Sequence, residues 1–191
     1  MSKQLVFLCG ARDFHAMDWY RSAEEQTPKE NVCILTDLIA AEGFTKLVGK
    51  NDIVHKLFII DRFLFKNQST IGNIWRNIIK FIVLPLQIGL LKKFHRKNPD
   101  SIYHAHSMYY IWLAAAANVP FIGTPQGSDI LLKPFRSKIF HFFSKKSMKK
   151  AKYITVDSFV MQEKAYEISG VTPKIIQNGI DLKSIELFLT S

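Results

Sequence analysis

A chain of 191 residues, 48% of them hydrophobic, is long enough for one well-buried domain and short for two. Its net charge of +10 is unevenly spread: residues 62–152 hold 16 Lys or Arg against two acids, Asp100 and Asp129, while the remainder carries 10 basic and 14 acidic residues. That asymmetry calls for an anionic partner and leaves a membrane surface, a nucleic acid and a phosphorylated substrate open. The two cysteines, Cys9 and Cys33, sit inside apolar runs and read as buried free thiols of a reducing compartment more readily than as a disulfide.

Residues 4–8 form the first apolar run, and a strand is expected there. It is too short for the core of a signal peptide, so a cytoplasmic chain is expected. A loop over residues 9–17 follows, bearing Gly10, Arg12, Asp13 and His15, and then a helix near residues 18–26 that Asp18 would cap. Residues 32–36 and 57–60 predict two more strands, with a helical turn at 38–41 between them. These runs are continuous rather than alternating, as in strands covered on both faces.

A long helix is predicted over residues 70–97, with Ile74, Ile78, Phe81 and Ile82 at helical spacing and a kink at Pro85. Its most apolar part, residues 78–91, is interrupted by Lys80, Pro85 and Gln87 and falls short of the roughly 20 residues a bilayer demands. A crossover helix buried against the sheet is the expected reading, with an interfacial helix as the alternative.

Residues 101–129 are the densest stretch. A short strand at 101–104 leads into a polar, histidine-bearing turn. A helix over 108–117 follows, with Ser107 as its N-cap, and then a strand at 121–124 ending in Pro125-Gln126-Gly127-Ser128-Asp129. Beyond it a helix is expected over 137–150, a strand at 153–156, a helix over 159–169 capped by Asp157 or Ser158 and ended by Gly170, and a seventh strand at 174–177 before the Asn178-Gly179 turn. Seven strands alternating with helices predict an α/β fold, a single Rossmann-like doubly wound parallel sheet over residues 1–177, with a linker beginning at 178–191. In such a sheet ligands bind at the carboxyl ends of the strands.

The first turn, Gly10-Ala11-Arg12-Asp13-Phe14-His15, has one glycine where a dinucleotide-binding turn needs three, and the chain has no Walker lysine loop and no G-x-S-x-G elbow. No metal-ligand spacing is present either, so no metal is expected. What the chain does show, in order, is His104-Ala105-His106, Val119-Pro120, Thr124-Pro125-Gln126-Gly127-Ser128-Asp129, Ile154-Thr155-Val156-Asp157-Ser158 and Pro173-Lys174-Ile175-Ile176-Gln177-Asn178-Gly179-Ile180-Asp181. This succession resembles the N-terminal domain of retaining GT-B glycosyltransferases of family 4. Gln126 stands where that family usually has a histidine.

The resemblance implies the acceptor-binding half of a hexosyltransferase acting on a cell-surface glycan or a lipid-linked saccharide. This half would be inactive alone, and the nucleotide-sugar donor would belong to a second domain outside this sequence, with no cofactor held tightly here. It implies that Arg12, Asp13, His15, His106, Gln126, Gly127, Ser128 and Asp129 line one acceptor cleft, with Asn178 and Gly179 as hinge or ligand contact. His104 reads as a buried strand histidine. Between Asp129 and Asp157 there is no acid, and Lys138, Lys145, Lys149 and Lys152 share one helical face beside Phe135, Ile139, Phe142 and Phe143. That is the pattern of a helix lying on an anionic leaflet, which suits a peripheral protein on the inner membrane face. The alternative function is a non-catalytic basic module binding nucleic acid, although no RNP, helix-turn-helix or finger pattern is present.

Overall fold

The computed structural model describes residues 4–10, 14–39, 52–64 and 69–177. Its strands are β1 (Leu5–Leu8), β2 (Val32–Thr36), β3 (Val54–Lys56), β4 (Ile102–His106), β5 (Phe121–Thr124), β6 (Tyr153–Val156) and β7 (Lys174–Ile175). They form a seven-stranded sheet in the order β3-β2-β1-β4-β5-β6-β7. Every pairing is parallel, and β1 lies between β2 and β4 with Phe7 opposite Ile34 and His104. The reversal of strand order between β1 and β4 is the switch point at which such sheets open a crevice.

The helices are α1 (Phe14–Gln26), α2 (Thr70–Lys97), α3 (Met108–Ala117), α4 (Gly127–Leu131), α5 (Lys133–Arg136), α6 (Lys138–Met148) and α7 (Phe159–Ser169). Strand periodicity divides the core between two faces. Phe7, Val32 and Ile34 pack with Met17 and Tyr20 of α1, while Val6, Leu8, Cys33, Leu35, Tyr103 and Ala105 pack with Ile111, Leu113 and Ala114 of α3. Burying such a side chain fully contributes about 1.5–3 kcal/mol. Cys9 and Cys33 are both buried free thiols.

Caps set several of the boundaries. Ser69 accepts from the Gly72 amide at 3.0 Å, and Ser158 from Met161 at 3.4 Å. Gly170 ends α7 at φ 72°. Ser107 holds the N-cap position of α3 but makes no side-chain cap bond; the Asp129 carboxylate accepts from the Met108 amide instead, at 2.8 Å.

Several expectations change. β3 lies at Val54–Lys56, ahead of the run at 57–60, because Ile34 and Thr36 pair with the earlier segment, while Leu57 and Ile60 turn inward as buried plugs. Helix α1 begins at Phe14, which puts Asp18 inside it rather than at its cap. His106 belongs to β4 rather than to a polar turn, since the strand pairs with β5 as far as Thr124. The helix expected over 137–150 ends at Met148 and is preceded by two short ones, α4 and α5. The turn at 38–41 lies partly outside the described residues, and Leu38 and Ile39 are not helical.

The largest departure is α2. It runs through Pro85 as one helix of 28 residues, yet it does not turn its apolar stripe to the sheet. Ile71, Ile74, Ile78, Phe81 and Ile82 are exposed, Phe81 by 70%, whereas Lys80 is 8% and Gln87 0% exposed. Asp37, just past β2, sets this orientation, because a fully buried carboxylate must find a cation and donors. Lys80 Nζ lies 3.4 Å from it and Gln87 Nε2 donates to it at 3.2 Å. Tyr110 donates a short hydrogen bond to the same carboxylate. The stretch Ile74–Lys97 is long and apolar enough to cross a membrane, with 17% of its apolar window buried.

Candidate functional site

At the carboxyl edge of the sheet, beside the switch point, lies a cavity of about 340 Å³ walled by residues that follow β1, β4, β5, β6 and β7. His15 and Trp19 enter it from α1, His106 from the end of β4, Gln126, Gly127 and Ser128 from the start of α4, and Asp157 from the end of β6. His15 and Trp19 are one helical turn apart, which puts both on the same side of α1.

His106 is 2% exposed and packs between His104, at 4.4 Å between ring centroids, Trp19 at 5.9 Å and Phe7 at 6.3 Å. Burial, with smaller contributions from His104 and His15, holds its pKa well below the ordinary histidine value. The ring is therefore neutral at physiological pH, and its Nε2 has no hydrogen-bond partner among the described residues. His104, one side chain further in, is brought down to about 4 by burial. It is satisfied by Thr124 Oγ1 at 2.8 Å, which in turn meets Thr155 Oγ1 at 2.5 Å.

Gln126 is exposed at the mouth. A Cβ added at Gly127 would meet nothing nearer than Met161 Sδ at 4.0 Å, so this glycine leaves open space in the wall rather than relieving a clash. Asp129 is placed differently from its predicted neighbours. It is 2% exposed, and its carboxylate accepts from the amides of Met108 and Gln126, at 2.8 and 3.3 Å, and pairs with Lys133 Nζ at 2.7 Å. It ties α3 to α4 and does not line this cavity. His15, His106, Gln126, Gly127 and Ser128 are thus brought together; Arg12, Asp13, Asn178 and Gly179 lie outside the described residues. Trp19, which the motif reading passes over, and Asp157, which it quotes without a site role, join them.

A second cavity, of about 590 Å³, opens on the other face of the sheet between α2, α3 and α6. Its walls are largely apolar, with Phe81, Leu84, Trp112, Ile139 and Phe143 among them, yet Arg76, Lys80 and Lys133 reach it. The Lys80 ammonium donates to Tyr110 Oη at 2.9 Å and lies over the rings of Tyr109 and Tyr110 at 4.2 and 4.4 Å. Burial draws its pKa below the ordinary lysine value. Gln126 and no other residue borders both cavities among those described.

Beside this cavity α6 is turned like α2. Ser144, Ser147 and Met148 face inward, while Ile139, Phe142 and Phe143 are exposed. Lys138, Lys145, Lys149 and Lys152 are exposed, but Lys149 only caps the helix and Lys152 lies beyond it, its amide bonded to the Phe121 carbonyl at 2.9 Å. Phe135 belongs to α5, across the break at Ser137. The single helical face expected from the sequence is therefore shared among three short segments.

The fold is that of glycosyltransferase domains. Similar structures include Anabaena HepE in complex with UDP and glucose, with a TM-score of 0.63, 12% identity, and 95% of this chain against 46% of that one. Sucrose-phosphate synthase from Thermosynechococcus elongatus matches in a shorter form (TM-score 0.62, 14% identity, 98% of this chain and 96% of that one). A longer form of it matches at 0.59 and 13%, over 95% of this chain and 49% of that one. The chain thus spans less than half the length of the HepE and longer synthase chains. No curated protein matches it in sequence. The Glycosyltransferase Family 4 profile, in contrast, matches residues 68–184, which include both the histidine strand and the turn that carries Gln126. The chain belongs to Glycosyltransferase Family 4.

Proposed function

We propose that this chain is the acceptor-binding half of a retaining hexosyltransferase, that a second domain brings the nucleotide-sugar donor, and that the acceptor's saccharide binds in the cavity beside His106. One observation carries the reading: a neutral, buried imidazole with an unpartnered Nε2 faces a cavity at the switch point of the sheet. The cavity's chemistry suits hydroxyl groups. The described residues that line it include no Lys or Arg, and Gln126 and Ser128 offer both donors and acceptors, Asp157 acceptors and Trp19 an apolar wall. Gln126 serves as a neutral donor and acceptor where a histidine would titrate.

We further propose that the chain works on the cytoplasmic face of an anionic membrane, as part of the synthesis of a surface polysaccharide. The exposed stripes of α2 and α6 support this, together with the lysines beside them. Because α2 buries Lys80, Gln87 and Leu91 in the domain, it lies along the surface rather than spanning a bilayer.

Two measurements test the reading. A glycan array should report saccharide binding by the wild-type chain that is lost in Trp19→Ala and Gln126→Ala; a blank array, or variants that bind like wild type, refutes the acceptor site. Co-sedimentation should show the chain pelleting with anionic but not zwitterionic vesicles and leaving them as salt rises, with Lys138, Lys145, Lys149 and Lys152 all changed to glutamate abolishing the effect. Indifference to anionic vesicles at low salt refutes the membrane reading.

A further inference from the structure

One wall of the larger cavity is a helix with a weak hold on the domain. Of the side chains of α6, Ser144, Ser147 and Met148 are buried, so a methionine is its one fully buried apolar anchor, helped by Phe140 half-buried against Trp112 at 4.8 Å between ring centroids. Ile139, Phe142 and Phe143 are exposed, Ile139 by 71%. The packing beneath is incomplete: Ser144 Oγ and Trp112 Nε1 have no hydrogen-bond partner among the described residues. Few apolar anchors and a buried hydroxyl left unsatisfied characterise an element from the low-stability end of a fold.

The two ends of α6 are held differently. Past its carboxyl end, the Ala151 amide donates to the Met148 carbonyl at 3.2 Å and the Lys152 amide to the Phe121 carbonyl of β5 at 2.9 Å, while Lys150 Nζ donates to the Ala115 carbonyl of α3 at 3.0 Å. At the amino end Ser137, extended at φ −144° and ψ 116°, joins α6 to the four residues of α5. The side chains near this free end are the ones at the cavity: Ser137, Ile139, Phe140 and Phe143 line it, opposite Phe81 and Leu84 of α2. Lys80 pairs with Asp37 at 3.4 Å and Lys133 with Asp129 at 2.7 Å, so these two ammonium groups are answered within the protein and do not reserve the cavity for an anion.

We propose that α6 is a lid on the larger cavity: in water it swings inward about Met148 until Ile139 and Phe143 fill the slot, and against an apolar surface it opens to the position seen in the structure. With the lid open, water meets both side chains and the apolar walls behind them; closing removes both surfaces at once. The motion is small. The 11 residues of α6 span about 16 Å, so a tilt of about 10° about the pinned end carries the first turn about 3 Å. It buries no charge, since Lys138, Lys145 and Lys146 are exposed and do not line the cavity, and Phe142 also stays outside. The lid requires neither the saccharide site nor anionic lipid, because any apolar surface that accepts Ile139 and Phe143 opens it.

The test reads the slot and the hinge separately. N-phenyl-1-naphthylamine, apolar and uncharged, reports the slot by fluorescence titration in detergent-free buffer. Wild type should bind it weakly. Ile139→Gln with Phe143→Gln should tighten binding about ten-fold, and adding Asn77→Trp, from an exposed position on the cavity wall, should abolish the gain. Wild-type binding that Asn77→Trp removes means a slot already open in water, and no gain in the glutamine variant means those side chains are not the plug; either result overturns the lid. Spin labels on Lys138→Cys and Ala116→Cys should change their mean separation by up to about 3 Å when micelles of uncharged dodecyl maltoside are added, several-fold more than labels on Lys146→Cys and Ala116→Cys. The native Cys9 and Cys33 are buried and take no label. Equal changes at the two positions, or none at either, overturn the hinge and with it the proposal. A lid that opens in micelles while the chain ignores anionic vesicles refutes the membrane reading alone.

Discussion

His104 and His106 stand on one face of β4, and burial keeps both imidazoles uncharged. An unfolded chain would protonate both near pH 6.5, while in the folded chain His104 waits until about 4. The unfolded state therefore binds more protons in that interval, and stability that is complete above pH 6.5 is lost as the pH falls toward 4. For His104 the loss is on the order of 3 kcal/mol by the bottom of the interval. Urea midpoints measured near pH 7 and near pH 5 should differ in the wild type, and the difference should shrink in His104→Gln. An unchanged difference would assign the pH dependence to other groups. At this scale the sequence was partly readable. The strand-turn pattern placed His106 and Gln126 at the carboxyl edge, but Asp129 looked like their neighbour because adjacency in sequence says nothing of which face a short helix turns inward. Trp19 was concealed for the opposite reason: it comes from another element and reaches the site only through the placement of α1.

At the scale of elements, β5 packs more tightly than its four residues suggest. A Cβ added at Gly123 would come within 3.0 Å of Ile111 Cδ1 and of Ile154 Cδ1, so valine there should cost about 1–3 kcal/mol. Gly127→Ala has room and should leave stability unchanged while narrowing the smaller cavity. Chemical denaturation of both variants separates a packing glycine from a space-leaving one, and equal loss in the two would contradict that division. Helices α2 and α6 make the complementary case. Changing Ile78 and Phe81 to glutamine removes exposed apolar surface, so folding stability should move by no more than about 0.5 kcal/mol. Binding to anionic vesicles should fall. Element types and order were legible because continuous apolar runs, alanine-rich helix and turn residues all agree. The orientation of α2 was not, since apolar spacing marks a helical face without saying whether protein or something else covers it. Asp37, distant in sequence, draws the polar side chains of α2 inward.

At the scale of the whole molecule, the proposed reading gives the sheet one wall of a reaction and not the reaction itself. If the donor belongs to a second domain, as we propose, the purified 191-residue chain should transfer no sugar from UDP-glucose or from other sugar nucleotides to any acceptor. The leaving phosphate would lack its stabilising groups, and the donor would lack orientation. Measurable turnover by this chain would refute the division of labour. The motifs that placed the chain in its family were readable as sequence because each sits at a strand end, where backbone geometry limits the residues allowed. The larger cavity was not readable, because it arises between elements that meet only once the sheet is wound.

The Asp37 contacts also govern how α2 can move. Lys80 and Gln87 stand seven residues apart, about 10 Å along the helix axis, and both reach the same carboxylate. A helix pinned at two heights to one buried point cannot roll about its axis or slide by a turn without stranding a charge in the core. Its outer face is accordingly free to drift in sequence, for the fold asks nothing of Ile74, Ile78 or Ile82, and any constraint on those positions must come from outside the domain.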